Sequence, residues 1–238
     1  MTKAIYMEDS YLQECEAVVT KVTDSKYVVL DQTIFYPASG GQPNDTGKIV
    51  RLSDNAEFKV DYVKKIDEDI SHEINPLGLK IGDKVKCIID WERRHKLMRY
   101  HTAAHILSAI IFKETGAKIT GNQLDVDKGR VDFSLTEFDK EKLKSYEHEF
   151  NNMIAKKLPV KTFSMPKEQA FEIESIFRLK NVIPDTVKDI RIIDIEGLDK
   201  QACGGTHVKN ISEIKGITIT DAVNKGKDNR RVYFVLKE

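Results

Sequence analysis

The 238 residues, 40% of them hydrophobic, are enough to bury one large core or two modest ones, which excludes a disordered chain. The 38 basic and 38 acidic residues cancel, which argues against broad, sequence-blind binding of nucleic acid but leaves room for a local basic surface. With three scattered cysteines, no apolar signal segment and no membrane-length apolar run, we expect a soluble cytoplasmic protein without a membrane partner. The oligomeric state stays open.

The first part of the chain predicts an all-β domain, residues 1–90. Its short segments are rich in β-branched residues and are separated by turn signals such as Asp24-Ser25 and Ile81-Gly82-Asp83. Several strands at this spacing predict a small barrel. The predicted strands are residues 15–22, 27–30, 47–52, 57–64 and 84–89.

Between the second and third predicted strands lies a loop dense in polar residues, FYPASGGQPNDTG, residues 35–47. It lacks the GK[ST] ending of a Walker loop, so it is not a phosphate-binding loop of that kind. A plain hairpin connection and a loop that contributes to a reactive site both fit its composition.

The segment 93–115 predicts one long helix, with Asp90 as a candidate cap and Gly116 as its stop. It carries His101 and His105, which are four residues apart and therefore lie on one face, where both imidazoles can reach a single point. This spacing favours a metal site, although a buried histidine can also be a satisfied core residue.

A second cluster, Cys203 and His207 with two glycines between them, offers a thiolate and an imidazole on a tight turn. Together with the two helical histidines it forms a ligand set suited to tetrahedral Zn²⁺. A purely structural zinc, or a buried cysteine beside a glycine turn, remains an alternative. No Glu separates His101 from His105, so the chain lacks the HExxH arrangement of zinc proteases.

The second predicted domain, residues 91–238, combines strands with two long helices and therefore predicts an α+β sandwich. A turn at residues 118–127 precedes its first strand. The further predicted elements are a strand at 130–135, a helix at 136–157, a strand at 160–165, a short helix at 166–171 and strands at 187–195, 216–223 and 231–236.

Basic residues cluster at the start of the long helix and around the last turn of the chain. Solvated surface is the common fate of such clusters, but their closeness in sequence to the metal segments makes a local nucleic-acid surface a second hypothesis. The basic residues are Arg93, Arg94, Lys96 and Arg99 on the helix and Lys225, Lys227, Arg230 and Arg231 near the end.

Three motifs, GGQPNDTG at 40–47, HTAAH at 101–105 and CGGTH at 203–207, together resemble the free-standing alanyl-tRNA editing proteins. These form the AlaX family, here its medium-sized class, and are related to the editing domain of alanyl-tRNA synthetase. The resemblance covers essentially the whole chain, and the motifs follow the family's order.

The resemblance implies a small β-barrel followed by a two-layer α/β editing domain of the threonyl/alanyl-tRNA synthetase type. It implies a Zn²⁺-dependent deacylase whose partner is the acceptor end of tRNA(Ala), chiefly when it carries serine. The implied zinc ligands are His101, His105, Cys203 and His207. The residues expected to act on the substrate are Gln42, Thr120, Asn122 and Gln123, and those expected to bind it are Gly40, Gly41, Arg93, Arg94, Lys96 and Arg99. In synthetase editing domains a polar residue often precedes the second histidine, whereas here that residue is Ala104.

Two rival hypotheses belong to other classes: a non-catalytic RNA-binding module with a structural zinc, and a zinc hydrolase acting on small esters or amides. An aminoacyl ester is already activated, so an editing enzyme needs only to position water and stabilise the oxyanion. The sequence leaves open whether zinc assists catalysis or positions the substrate, whether all four residues bind it at once, and whether glycine is also removed.

Overall fold

Strands of alternating hydrophobic and polar residues form a closed barrel in the first part of the chain. The structure is a computed structural model, which describes residues 1–137, 139–173, 176 and 187–238. The strands of this first part are β1 (Lys3–Ala4), β2 (Glu14–Thr23), β3 (Tyr27–Leu30), β4 (Gln32–Thr33), β5 (Gly47–Arg51), β6 (Glu57–Ile66), β7 (Asp69–Asn75) and β8 (Lys84–Ile89). The barrel strands follow the order β2-β3-β7-β6-β5-β8, and a separate parallel pair joins β1 to β4.

The barrel confirms the predicted strands and adds β7, which the sequence analysis missed. The reason is that β7 buries Ser71 and His72 as well as Ile70 and Ile74, so its pattern does not read as alternating apolar residues. Nδ1 of His72 lies 3.0 Å from the carbonyl of Val28, and its Nε2 lies 2.9 Å from the Thr33 hydroxyl. These two contacts satisfy the buried imidazole inside the barrel.

The elements of the second part of the chain are α1 (Trp91–Thr115), β9 (Ile119–Leu124), β10 (Gly129–Phe133), α2 (Lys140–Ile154), β11 (Val160–Pro166), α3 (Lys167–Phe171), β12 (Asp189–Ile195), β13 (Asp199–Ala202), β14 (Ile217–Asn224) and β15 (Arg230–Leu236). Its strands form two antiparallel sheets, of order β14-β15-β10-β9 and β11-β12-β13. Helix α2 packs against β14, where the Asn151 side chain bonds both backbone groups of Ile217. The predicted α+β class, a barrel followed by an α/β editing-type unit, is confirmed.

One predicted turn is wrong: residues 118–127 are largely strand β9, paired with β10 in a hairpin. The polar sequence hid this strand because Thr120 and Gln123 lie on its exposed side, whereas Ile119 and Leu124 are buried. A bulge, where the register shifts between Asp132 and Phe133, further disturbs the alternation.

Helix α1 differs from the amphipathic helix that its spacing predicts, because every residue from Leu97 to Ile111 is buried. Its predicted ends are confirmed: the Asp90 carboxylate accepts from the amide of Arg93 at 3.1 Å, and Gly116 adopts φ +69°. Polar residues in the buried part of such a helix must find partners or ligands within the protein.

The chain divides into two compact units, Met1–Leu97 and Met98–Glu238. We predicted a boundary between residues 90 and 91. The first turns of α1 belong to the first unit, since Trp91 packs on the barrel's hydrophobic core and Arg94 is bonded to the loop after β4. Among the described residues, no helix is both long and apolar enough to cross a membrane.

Candidate metal centre

The second unit brings together the four residues predicted to bind zinc. His101 and His105 project from α1, Cys203 follows directly after β13, and His207 ends the glycine turn. One potential ligand atom from each residue lies within 4.8 Å of all the others. The site is largely removed from solvent: the three histidines are buried and the cysteine is half-buried.

Two of the distances between ligand atoms in this cluster match the edges of a tetrahedron around a cation. The Sγ atom of Cys203 lies 3.5 Å from Nε2 of His101 and 3.3 Å from Nε2 of His207. Metal–ligand bonds of about 2.0–2.3 Å place the corners of a tetrahedron roughly 3.3–3.7 Å apart. One sulfur and three imidazole nitrogens are also ligands that zinc prefers.

Two neighbours orient the histidine rings. Nδ1 of His105 lies 3.1 Å from Oδ2 of Asp199, and because a carboxylate only accepts, Nδ1 carries a proton; in the neutral ring this leaves the lone pair on Nε2, where a metal can bind. Nδ1 of His207 lies 3.1 Å from the hydroxyl of Thr102, which leaves Nε2 directed toward Cys203. A carboxylate or hydroxyl behind the ligating ring is typical of metal-binding histidines.

The glycine turn is held in place from the neighbouring strand. Nη1 of Arg191, on β12, donates to the carbonyls of Cys203 and Gly205 at 2.8 Å each. The amide of Gly205 points back at the sulfur of Cys203, 3.4 Å away. These bonds give the turn one conformation and supply a donor to a sulfur that carries negative charge.

The electrostatics of the cluster favour a thiolate. Burial alone raises the pKa of the Cys203 thiol, but the adjacent His101 and His207 outweigh it and hold that pKa well below its ordinary value. Burial lowers the pKa of His105, whereas Asp199 and Cys203 raise it to about 10. Burial and the neighbouring His101 keep the pKa of His207 well below its ordinary value. A bound metal ion would displace a proton here and compensate the buried negative charge.

The polar loop of the first unit contains a local two-residue turn, but it is not the plain hairpin connection that was one of its two readings, because β3 pairs with β2 and β7 whereas β5 pairs with β6 and β8. Ser39 and Gln42 exchange backbone hydrogen bonds of 3.1 and 2.9 Å, and Gly40 and Gly41 between them adopt φ +57° and +83°. Two positive φ values in a two-residue turn require glycine-like residues for local reasons. Gln42 is buried within the first unit, and the substrate roles assigned to these three residues stay predictions.

The substrate-binding role predicted for Arg94 is wrong. Its side chain is fully buried and its Nε donates to both carboxylate oxygens of Asp45, at 2.9 and 3.0 Å. Its other two nitrogens donate to the carbonyls of Ser10 and Ile34, at 2.9 and 2.6 Å. The same Asp45 accepts from the amide of Tyr36, so this ion pair ties the polar loop to α1 instead of reaching an RNA phosphate.

Arg99 is likewise buried and bonded within the protein, although its predicted role in binding substrate stays a prediction. It is 9% exposed, and its Nη2 donates to the carbonyls of Ile214 and Lys237 at 3.1 Å each. The two other basic residues of this segment, Arg93 and Lys96, are half-buried on the first turns of α1. Their predicted role in binding substrate stays a prediction.

The three polar candidates on β9 differ in their surroundings. The Thr120 hydroxyl donates to Asn229 at 3.0 Å, and the amide oxygen of Gln123 accepts from Arg130 at 2.9 and 3.2 Å. The Oδ1 atom of Asn122 is instead buried without a hydrogen-bond partner in the described part of the chain. Because Asn122 pairs with the fully buried Val131, its side chain lies on the inner face of the sheet.

Sequence reasoning missed Asp199, Thr102 and Arg191, which are not among the four candidate ligands. They hydrogen-bond to the ligand residues and to the glycine turn, and so hold the site in place. A weak signal existed for one of them: Asp199 and Gln201 alternate as buried polar residues on β13, directly before the cysteine. The other two carry no local pattern that distinguishes them from ordinary polar residues.

Comparison with known proteins places this architecture in a family. Family models match residues 3–93, as class II (A) tRNA synthetases, and residues 190–233, as the second additional domain of threonyl- and alanyl-tRNA synthetases. The chain is 54% identical to the alanyl-tRNA editing protein AlaX-M of Methanosarcina barkeri, over 99% of both proteins. It is 38% identical to the Saccharolobus solfataricus protein of the same name, over the full length of both.

A longer protein shows the same similarity in one part. The alanine–tRNA ligase of Saccharolobus islandicus is 34% identical over 92% of this chain, which corresponds to 25% of the ligase. The resemblance stated from the sequence motifs and the predicted enzyme class, a deacylating hydrolase, are therefore confirmed: the chain belongs to the family of alanyl-tRNA editing proteins of the AlaX-M type.

Proposed function

We propose that this protein removes serine from mischarged tRNA(Ala) in the cytoplasm, acting in trans by zinc-dependent hydrolysis of the aminoacyl ester. The observation that carries the proposal is the convergence of one sulfur and three imidazoles within 4.8 Å, in a chain of the alanyl-tRNA editing family. The names of the relatives support tRNA as the substrate, and the types of ligand atom support zinc as the metal.

The residues present fit zinc in number, type and spacing. A bound zinc ion would supply a positive charge that polarises the ester carbonyl or a water molecule, or that holds the acceptor end in place. Asp199 and Thr102 would keep His105 and His207 in the ligating tautomer. If all four residues bind the ion at once, its coordination is complete, which favours the positioning role.

Discrimination between serine and alanine requires a group that reads one hydroxyl. An apolar pocket separates such a pair poorly, whereas a site that hydrogen-bonds the hydroxyl rejects the analogue lacking it, by a factor on the order of 10⁴. Asn122 supports this role best among the β9 candidates, because its buried Oδ1 has no partner among the residues that the structure describes and is able to accept the serine hydroxyl. Thr120 and Gln123 already bond neighbouring side chains.

The first experiment measures release of serine from serine-charged tRNA(Ala) together with the zinc content of the protein. We expect about one zinc per chain, and loss of both zinc and deacylation in His105→Ala or after treatment with a chelator. His148→Ala is the matched control, since this histidine is exposed on α2 and should leave both quantities unchanged. Full activity in a zinc-free preparation would contradict the zinc dependence.

The second experiment compares rates of serine and alanine release from the same tRNA. We expect serine to be released much faster, and Asn122→Ala to slow serine release roughly ten- to a hundredfold with little effect on alanine, the cost of one lost hydrogen bond to a buried group. Gln123→Ala is the control on the same strand. A ratio near one in the unmodified protein would show that no residue reads the hydroxyl.

The candidate contacts to the tRNA are Gly40, Gly41, Gln42, Arg93, Lys96 and Arg99. If Arg93 and Lys96 meet phosphates, replacing either with alanine should weaken tRNA binding and lower the salt dependence by about one unit of slope. The rival hypothesis of a non-catalytic RNA-binding module fits poorly with membership in a family of editing enzymes. It predicts tRNA binding without any ester hydrolysis.

A further inference from the structure

The barrel is closed by the pairing of its first strand, β2, with its last, β8, and this seam carries two cysteines face to face. Cys15 on β2 lies directly opposite Cys87 on β8 in the antiparallel register. Directly opposed residues project to the same face of a sheet, so the two thiols are neighbours. Neither residue belongs to the metal cluster.

The seam has a spacing that a disulfide can bridge. In an antiparallel pair of strands, every second pair of opposed residues is joined by backbone hydrogen bonds. The amide of Ile89 donates to the carbonyl of Gln13, and the amide of Val19 donates to the carbonyl of Asp83, both at 3.0 Å. The two cysteines lie between these two pairs in the same alternation, so they too are a hydrogen-bonded pair. Opposed residues of that kind have Cα atoms about 5.5 Å apart. Disulfides span Cα separations of roughly 4.4–6.8 Å, so only a small approach of the two side chains is needed.

The two thiols differ in access. Cys87 is 0% exposed in the barrel interior, whereas Cys15 is half-buried and packs at the edge of the same core. The adjacent Cys87 thiol lowers the pKa of the Cys15 thiol, and the adjacent Cys15 together with burial raises the pKa of Cys87. Cys15 is therefore the thiol that an external reagent meets first, and Cys87 is its nearest internal partner.

We propose that Cys15 and Cys87 form a reversible redox site that reacts with low-molecular-weight disulfides of the glutathione type. The thiolate of Cys15 attacks one sulfur of glutathione disulfide, forms a mixed disulfide and releases one glutathione. The Cys87 thiol then gives up its proton, attacks the Cys15 sulfur and releases the second glutathione. Two protein thiols are oxidised to one disulfide, and one glutathione disulfide is reduced to two glutathiones.

The position of the bond determines its consequences. Although the Cα spacing suits a disulfide, the Cβ atoms of a hydrogen-bonded pair lie farther apart than those of an unstrained disulfide. The resulting strain makes a disulfide easier to reduce. The bond would therefore form and break within an ordinary range of thiol–disulfide ratios. Because it joins the first and last barrel strands, it closes a loop containing most of the barrel and should restrict the unfolded chain.

The experiment incubates the full-length, zinc-loaded protein in graded ratios of glutathione disulfide to glutathione, traps free thiols by alkylation, and maps peptides by mass spectrometry. We expect two of the three thiols to disappear together, with a Cys15–Cys87 cross-linked peptide that excess glutathione removes. The urea midpoint of the oxidised protein should rise by an amount on the order of 1 M.

Two variants test the order of the steps. Cys87→Ala should stop at Cys15 carrying one glutathione, and Cys15→Ser should leave Cys87 reduced because the reagent cannot reach it. The inference is overturned if the unmodified protein keeps both thiols free at high disulfide, stops at the mixed disulfide, or links Cys15 to Cys203. A core disturbed by the Cys87 replacement would not affect the result for Cys15→Ser, in which only the half-buried position changes.

Discussion

Two buried polar clusters, one in each unit, use their hydrogen-bonding groups in opposite ways. Around Arg94, each of the three guanidinium nitrogens donates to the carboxylate of Asp45 or to a carbonyl, so the charges satisfy each other. Around His105, the outer ring nitrogen is held by Asp199, while the inner nitrogen points at three other potential ligands. The first arrangement is complete without a ligand, whereas the second is suited to a cation.

This difference shows why basic residues near a candidate site are poor evidence for substrate binding. Arg94 precedes the metal histidines by two turns of the same helix and has the residue type expected of a phosphate contact. Its burial, and its pairing with the aspartate of the GGQPNDTG segment, instead make it part of the fold of the first unit. A cluster has to be examined for unmet bonding capacity before a ligand is assigned to it.

The largest expected effect comes from breaking the complete cluster. Arg94→Ala leaves Asp45 buried without its cation and should lower the free energy of unfolding by about 3–5 kcal/mol. Zinc content in the surviving folded protein should not change. Urea unfolding measures the first quantity and metal analysis the second.

A double replacement sharpens this test. Arg94→Met combined with Asp45→Leu removes both charges, and should cost less than Arg94→Ala because no unpaired charge remains. Arg93→Ala, on the half-buried neighbour, is the single-residue control. Equal losses in the single and double variants would show that packing, and not the ion pair, dominates.

The next largest expected effect is a pH dependence of the barrel's free energy of unfolding, which arises from the buried His72. Burial lowers the pKa of this histidine to about 4, while its unfolded value is about 6.5. Between these values the unfolded chain binds the extra proton, so stability rises with pH across this window, by about 3 kcal/mol in total, and is lost as pH falls toward 4.

The measurement is the urea midpoint of unfolding from pH 4.5 to 7, compared with His72→Gln. The variant should show a flatter pH dependence, because other titrating groups remain and only this contribution is gone. His148→Ala should follow the unmodified protein. Parallel pH profiles for the unmodified protein and His72→Gln would contradict a neutral, buried His72.

In the metal cluster, a change behind the ligand should weaken metal binding without removing it. Asp199→Asn keeps the shape but removes the charge that holds the proton on His105, and should raise the dissociation constant for zinc roughly 10- to 100-fold. Competition with a chromogenic chelator measures it. Asp194→Asn, on the neighbouring strand and paired with Lys200, should leave zinc affinity unchanged.

The smallest effect is expected at the other orienting residue. Thr102→Val removes the hydroxyl that contacts both Nδ1 of His207 and the amide of Val208, and should weaken zinc binding by about fivefold, equivalent to about 1 kcal/mol. Thr102→Ser should restore the affinity. Equal zinc affinities in Thr102→Val and Thr102→Ser would mean that the hydroxyl does not orient the His207 ring.

Local patterns were sufficient for much of this protein. Strand alternation with turn residues identified most of the barrel, because both act over a few neighbouring residues. Helical spacing identified the histidine pair, since residues four apart meet on any helix. The CGGTH turn completed the ligand set without knowledge of the fold, and the combination of motifs identified the family.

Tertiary structure decided the rest, because the deciding contacts join residues far apart in the sequence. Only the folded chain hydrogen-bonds Asp199 to His105, pairs Arg94 with Asp45, and aligns Cys15 opposite Cys87. Strand β9 likewise depended on its pairing with β10, which overrides the turn-like composition of its polar residues. Residue type and spacing determined which groups can bind a metal, whereas burial and hydrogen bonding determined which polar groups are already satisfied.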